Sequence, residues 1–224
     1  MPPAPHLLIV GMGPRVGHHA ARRFGSAGYR VGMIARSVVH LAAHQRDLAA
    51  VGVEAHYANA DVADADGLRD AVEKMTVALG TPQVVLFTPA DRVAGRAITV
   101  DPAAVRRALD VGAMGALTAM QALLPAMTTR GTGSMLFMGS SRALDPRPHG
   151  AAEAAAQAAL RALVLAAARD HERDGVHVAL LTLTGEPRPA TPTAPARIAD
   201  ALWDLAQEPS GAWTQERTFG GQQP

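Results

Sequence analysis

Short apolar runs of strand length alternate along the chain with longer stretches whose apolar residues recur at helical spacing. The first run is His6-Leu-Leu-Ile-Val10, followed at once by Gly11-Met-Gly-Pro-Arg-Val-Gly17. From His18 to Ala27, Ala20, Ala21 and Phe24 fall at helical spacing, Gly28 supplies a stop, and Tyr29 to Ala35 is apolar again. This is one β-α-β unit. The alternation continues with strands expected over 53–57, 84–88, 134–139, 176–182 and 212–219. Helices are expected over 65–79, 102–129 with Pro125 near its end, 151–174 and 195–207. Strands that are apolar throughout, separated by helices, predict a parallel sheet covered on both faces. The stretch Glu186-Pro-Arg-Pro-Ala-Thr-Pro-Thr-Ala-Pro195 holds four prolines and predicts an exposed loop.

Composition narrows the partners more than the fold. The 224 residues can bury one sizeable core, so a single domain over 1–224 is expected. A formal net charge of +1 gives no reason to expect nucleic acid or an anionic membrane surface. No apolar segment of membrane-spanning length is free of charge, and Met1-Pro-Pro-Ala-Pro5 runs into the first strand without a signal-peptide layout. The absence of cysteine excludes disulfides, thiolate catalysis and cysteine-ligated metal, and with the rest sets a soluble cytoplasmic protein as the expectation.

The glycines between the first strand and helix carry the first chemical signal. Gly11, Gly13 and Gly17 would let the backbone approach a pyrophosphate and aim the N–H groups of Val16 and the following turn at its charge. Taken alone, such glycines could serve only a tight turn. Other segments point the same way. Asn59-Ala-Asp61-Val62 follows the third strand, Gly139-Ser140-Ser141 the fifth, and Thr184-Gly185 the sixth. Gly211 through Gly220-Gly221 closes the chain, with Trp213-Thr-Gln-Glu216 between. In this order and spacing the chain resembles the short-chain dehydrogenase/reductase family over nearly its whole length. The resemblance implies a single-domain, doubly wound Rossmann-type α/β fold of about seven strands with an oxidoreductase's dinucleotide site. It also makes Asp61 and Val62 adenine contacts, and sets Thr88-Pro89-Ala90 beside the cofactor where the family has Asn-Ala-Gly.

The cofactor's identity is argued from charge. NAD sites place an acidic side chain at the end of the second strand to accept from the ribose 2′-OH. Here Ala35 is followed by Arg36 and Ser37, a cation and a hydroxyl that suit a 2′-phosphate, so NADP(H) is expected over NAD(H). Arg15, at the family's second glycine position, is expected to add a cation at the same end, and would crowd the pyrophosphate if its backbone needed positive φ.

The catalytic positions depart from the family's pattern. By resemblance, the asparagine of the fourth helix falls on Gly112, the serine is retained as Ser140, and the tyrosine and lysine fall on Glu153 and Gln157. Glutamine has neither a titratable proton nor a charge, and a glutamate carboxylate carries negative charge in place of a transferable proton. Losing positioned acid catalysis costs on the order of 100 to 10,000-fold in rate. The expected protein is therefore a dinucleotide binder that is weak or inactive in ordinary carbonyl reduction. The alternative is an active enzyme with a small-molecule substrate. It would be a reductase with another proton source, or an isomerase or lyase in which His149 and Glu153 share a helical face as an acid/base pair. Equally, His149 belongs to a loop and Glu153 only answers the helix dipole.

Two further expectations concern surfaces. The histidines show no metal-ligand set from spacing: His40 and His44 share a helical face without a third ligand, so no metal is expected. Ala154, Ala158, Ala162 and Ala166 form a stripe of small residues, and by resemblance the helices at 102–129 and 151–174 pair between subunits of a homodimer or homotetramer. Residues 184–196 stand where the family has its substrate lid, here short and rich in proline.

Overall fold

The computed structural model describes residues 4–221, and among them seven strands form one parallel sheet. In chain order the elements are β1 (His6–Val10), α1 (Val16–Gly25), β2 (Arg30–Ala35), α2 (Val38–Ala49), β3 (Ala55–Asn59), α3 (Ala65–Leu79) and β4 (Val84–Phe87). There follow α4 (Pro102–Leu109), α5 (Gly115–Arg130), β5 (Gly133–Ser140), α6 (Ala151–His171), β6 (Val176–Leu183), α7 (Pro195–Ala206) and β7 (Glu216–Phe219). The strand order is β3-β2-β1-β4-β5-β6-β7. Successive strands run outward from β1 in one direction and then from β4 in the other. The crevice between β1 and β4 is thus the switch point at which doubly wound sheets bind ligands.

Both faces are covered, as the apolar strands require. Leu8, Val10, Val85, Phe87, Met135 and Phe137 pack beneath α3, α5 and α6, through Leu68, Leu123 and Leu160 among others. The opposite side chains of the same strands, Leu7, Ile9, Leu86 and Leu136, pack beneath α1, α2 and α7. Contrary to the expectation that no charge-free apolar segment reaches membrane-spanning length, the helical segments 102–130 and 151–174 are long and apolar enough to cross a membrane by length and composition, and 111–129 carries no charged residue. Their most apolar windows, however, are 61% and 50% buried within the fold, so much of that hydropathy is core packing.

Several elements differ from the sequence expectation. Helix α2 was not marked by the hydrophobic pattern, because Leu41, His44 and Leu48 are its only buried positions. The helix expected over 102–129 is interrupted at Asp110–Met114 by a π-helical turn, so α4 and α5 are separate. The proline-rich loop is anchored rather than fully exposed. Thr193 is 4% exposed and donates from its hydroxyl to the Glu186 carbonyl at 2.7 Å, while Pro187 and Pro195 are buried. Pro195 begins α7, where its missing N–H costs nothing.

The closing Trp-Thr-Gln-Glu segment is a structural lock on the last strand. Trp213 stacks on the buried His177 ring with centroids 5.4 Å apart, and its indole N–H donates to the Glu208 carbonyl at 3.1 Å. Glu216 accepts from Arg161 of α6 at 2.6, 2.9 and 3.0 Å and from the Thr182 hydroxyl of β6 at 2.9 Å. Replacing Glu216 by Gln is expected to cost about 1–3 kcal/mol, read as a lower urea midpoint at neutral pH. The Arg161 hydrogen bond holds the Glu216 carboxyl below the usual glutamate range, against the upward push of partial burial. That stabilisation is complete above the unfolded value and lost as pH falls through the lowered folded one. The difference between wild type and Glu216→Gln should therefore shrink as the buffer is taken from neutral down through and below the usual glutamate range.

Candidate dinucleotide site and catalytic cleft

The turn after β1 uses its three glycines in different ways. Gly11 has φ +91°, and its N–H and that of Met12 donate to the Ile34 carbonyl at 2.9 and 3.0 Å. A Cβ on Gly11 would lie 2.7 Å from both the Pro89 ring and the Thr88 hydroxyl, and that hydroxyl donates to the Gly11 carbonyl at 2.7 Å. Thr88 and Pro89, expected as cofactor contacts, therefore wedge the turn into shape from the end of β4. Gly17 packs helix on strand, with Met12 Sδ 3.1 Å from where its Cβ would be. Gly13 faces open space. Its hypothetical Cβ would approach only the Gly11 carbonyl, at 3.9 Å, among the described residues.

Helix α1 begins beyond this turn with no side-chain cap among the described residues and no acidic residue in its first turn. The His18 N–H donates back to the Gly13 carbonyl at 3.0 Å, which leaves the amides of Val16 and Gly17 to face an anion, while the Val16 side chain is buried at 5% exposure. Arg15 precedes it with φ −94°, so the side chain at this glycine position imposes no positive-φ strain. Its guanidinium lies elsewhere than expected. It reaches the lid rather than the adenosine end, donating to the Pro187 carbonyl at 3.4 Å. The exposed side chain leaves the helix start over the cleft, and the lid carbonyl is the acceptor within reach.

At the adenosine end, Arg36 is exposed and Ser37 caps α2, accepting from the His40 N–H at 3.3 Å. Asp61 is not free. Arg107 of α4 donates to it at 2.8 Å and the Ala63 N–H at 3.1 Å. Partial burial pushes the Asp61 carboxyl up, but the Arg107 hydrogen bond, the Ala63 N–H and the charges of Arg107 and Arg36 together hold it below the usual range. Val62 is buried, and its carbonyl would stand 2.9 Å from a Cβ on Gly115. Its position is thus set by the close approach of α5.

The cleft at the carboxyl ends of β4, β5 and β6 brings Ser140, Glu153 and Gln157 together, lined also by Thr88, Arg92, Arg142, Arg147 and Glu186. The Ser140 hydroxyl accepts from the Arg142 N–H at 3.3 Å, which turns Arg142 back into the cleft. Arg142 donates to the Glu153 carboxylate, and Arg92 stands 3.9 Å from its other oxygen. Glu153 is 7% exposed and Gln157 is 4% exposed. Gln157 Oε1 has no hydrogen-bond partner among the described residues. Gly112 lies in the π-helical turn with its missing Cβ 3.6 Å from that of Ala156, an ordinary contact distance. Interrupted helices of this kind recur at functional sites.

His149 does not join the cleft. Helix α6 starts at Ala151, so the expected four-residue helical relation to Glu153 does not form. His149 is exposed with φ 61°, and its carbonyl accepts from the Gly95 N–H at 2.8 Å.

Arg142, Arg92 and Glu186 were missed from the sequence. Only Arg142 had a local signal, standing two residues after the retained serine. Glu186 is held below the usual carboxylate range by the Arg188 hydrogen bond and then by the charge of Arg92. With these side chains in the cleft, the room for water-sized molecules is about 70 Å³, against roughly 300–1,000 Å³ in ligand pockets generally. Arg142→Met is expected to lower stability by about 1–3 kcal/mol by leaving the Glu153 carboxylate short of a partner, and adding Glu153→Gln should recover most of it. Urea denaturation of the two single variants and the double variant measures this.

Comparison with known proteins agrees with the geometry. Residues 5–185 match the short chain dehydrogenase family. The chain is 31% identical over 180 residues to the 3-dehydrosphinganine reductase TSC10B of Arabidopsis thaliana, covering 79% of this chain and 53% of that protein. It is 27% identical over 168 residues to the dehydrogenase/reductase SDR family protein 7-like of Drosophila melanogaster, covering 71% and 50%. The chain thus spans about half the length of the curated relatives it matches. Among solved structures, a metagenomic short-chain oxidoreductase in complex with NADP superposes with TM-score 0.88 at 25% identity, covering 96% of each chain. A short-chain dehydrogenase from Rhodopseudomonas palustris gives 0.87 at 23%, covering 95% and 96%. Glycine turn, sheet order and sequence match converge, and the chain belongs to the short-chain dehydrogenase/reductase family.

Proposed function

We propose that the protein binds a nicotinamide dinucleotide, NADP(H) in preference to NAD(H), and is weak or inactive in the family's ordinary carbonyl reduction. The observation that carries this reading is the Arg142–Glu153 pair: Arg142 donates to the Glu153 carboxylate, which by resemblance stands in the place of the proton donor. A bound cofactor would supply or accept a hydride.

The residues present fit such a cofactor. Gly13 leaves the space a pyrophosphate needs, and α1 presents an uncapped N-terminus to it. Gln157 Oε1, buried and without a partner among the described residues, would accept from a ribose hydroxyl at the nicotinamide end. Arg36 is an exposed cation at the adenosine end, with no acidic residue at the end of β2 to compete for the 2′ position, while Arg107 is taken up by Asp61. The metagenomic relative is in complex with NADP, which supports a nicotinamide dinucleotide without choosing between the two.

A second reading is favoured by Arg142 itself. Its guanidinium, held on Glu153 in the cleft that Ser140 also lines, could stabilise a developing alkoxide while solvent delivers the proton, leaving a slow reductase. The non-redox reading through His149 and Glu153 has no such support, since His149 stays outside the cleft.

Titration of the purified chain with NADPH and NADH, followed by cofactor fluorescence, is expected to show tighter NADPH binding. Gly13→Ala should abolish it while shifting stability by no more than about 1 kcal/mol. Equal affinities would remove the NADP preference, and no binding of either would remove the cofactor reading. The combined change Gly112→Asn, Glu153→Tyr, Gln157→Lys is expected to raise carbonyl reduction over wild type by about 100-fold or more, assayed as NADPH oxidation across a ketone panel. Wild-type turnover already equal to the variant's would favour the second reading.

We also propose that α4, α5 and α6 form a subunit interface. Ala158, Ala162 and Ala166 are exposed on the isolated chain, so of the four-residue stripe only Ala154 is used by its own core. Leu117, Met120, Leu124 and Leu163 line an adjoining apolar groove. Ala162→Arg is expected to convert the assembly to monomer in light scattering.

A further inference from the structure

The fold brings together two histidines that lie 26 residues apart in the chain. His18 lies in the first turn and a half of α1 and His44 in the middle of α2, and their Nδ1 atoms are 3.2 Å apart. Asp47, one turn after His44, completes a group whose ligand atoms all lie within 4.8 Å of one another. Spacing along the chain pairs His44 with His40, whereas the fold sets His44 and Asp47 of α2 against His18 of α1.

The 3.2 Å separation suits coordination. Two imidazole nitrogens each about 2.0–2.1 Å from a tetrahedral zinc are roughly 3.3 Å apart, so this spacing matches one edge of the polyhedron. Asp47 is exposed and can swing its carboxylate to a third vertex, leaving the fourth to water. Imidazole and carboxylate together select a borderline divalent ion such as Zn²⁺, Co²⁺ or Ni²⁺ over Mg²⁺ or Ca²⁺. Metal ligation requires neutral imidazole. Burial, and then the neighbouring His44, lowers the His18 value below that of a free histidine; burial lowers His44 likewise, against the opposing charge of Asp47. The other groups that act on the pair are His19 and Arg22 of α1 and His40 of α2. Arg22 is the one fixed positive charge among these and opposes a cation; Asp47 answers it.

Without metal, one ring must donate its Nδ1 proton to the other. On binding, that proton moves to Nε2 through solvent, so both rings stay neutral and no redox change is involved.

We propose that His18, His44 and Asp47 form a divalent transition-metal site that clips α1 to α2. The consequence is architectural. α1 follows the glycine turn and α2 follows Arg36 and Ser37, so the clip would fix the spacing of the two segments that flank the phosphates of the proposed cofactor.

The test uses the full chain without a histidine tag, stripped with chelator. Zn²⁺ titrated by calorimetry is expected to bind with a stoichiometry of one and to raise the thermal midpoint, and Co²⁺ to give the visible absorption of a tetrahedral nitrogen–oxygen site. His18→Asn should weaken zinc by more than about 100-fold, beyond the 10–100-fold typical of losing an outer-sphere partner, and should abolish the cobalt spectrum. Asp47→Asn, on the surface, should weaken it measurably without loss of fold, which covers the case in which the buried His44 cannot be replaced. His149→Asn is the control and should bind as wild type. No stoichiometric zinc binding, or equal affinity in wild type and His18→Asn, overturns the proposal. These readouts need neither cofactor nor turnover, so they succeed or fail independently of the proposed function.

Discussion

Parallel strands cannot be joined by tight turns, and that constraint governs the whole molecule. Every strand must be followed by a crossover that returns across a face of the sheet, so all carboxyl ends gather along one edge. The glycine turn after β1, Thr88 and Pro89 after β4, Ser140 after β5 and the lid after β6 meet there although they are spread over most of the chain. At the switch point between β1 and β4 no helix fills the crevice. Gly11 is held at positive φ between Ile34 on one side and Thr88 and Pro89 on the other, which shapes the turn before any ligand arrives.

The cleft at the carboxyl ends of the strands is lined by paired charges. Gly112 sits in an interrupted helix where an added Cβ would meet Ala156 at an ordinary contact distance. Ser140 still ends β5, but its hydroxyl now serves the backbone of Arg142. The guanidinium and carboxylate groups of the cleft satisfy one another: Arg142 and Arg92 around Glu153, and Arg92 and Arg188 around Glu186. Such a network is stable while both signs are present, since removing either leaves a poorly solvated charge. The Gln157 carbonyl oxygen is the exception, buried without a partner among the described residues and turned to the place where the cofactor reading needs an acceptor.

The lid and the chain's last strand show the same economy of contacts. Arg15 ties the glycine turn to Pro187, so the two sides of the crevice are joined across its mouth. On the far side of the sheet edge, Glu216 joins β7 to both α6 and β6, which keeps a four-residue edge strand from fraying. The Trp-Thr-Gln-Glu ending had no meaning as a motif. It acquires one once Trp213 is seen stacked on His177 and Glu216 clamped by Arg161.

The sequence by itself determined the parallel α/β sheet, because fully apolar runs alternating with helical ones bury both faces in that arrangement, and it determined the glycine turn, because that is a set of identities at positions. It did not reveal α2, whose three buried positions leave too weak a period, nor the break in the long helix, since a π-helical turn has no compositional mark at Asp110–Met114. Only the tertiary structure decided which charges meet. Arg107 finds Asp61 across 46 residues, Arg142 finds Glu153, Arg15 turns to the lid, and His18 finds His44. Long side chains on different elements are brought within a few ångströms by the packing of helices on the sheet, and spacing along one chain carries no record of that distance.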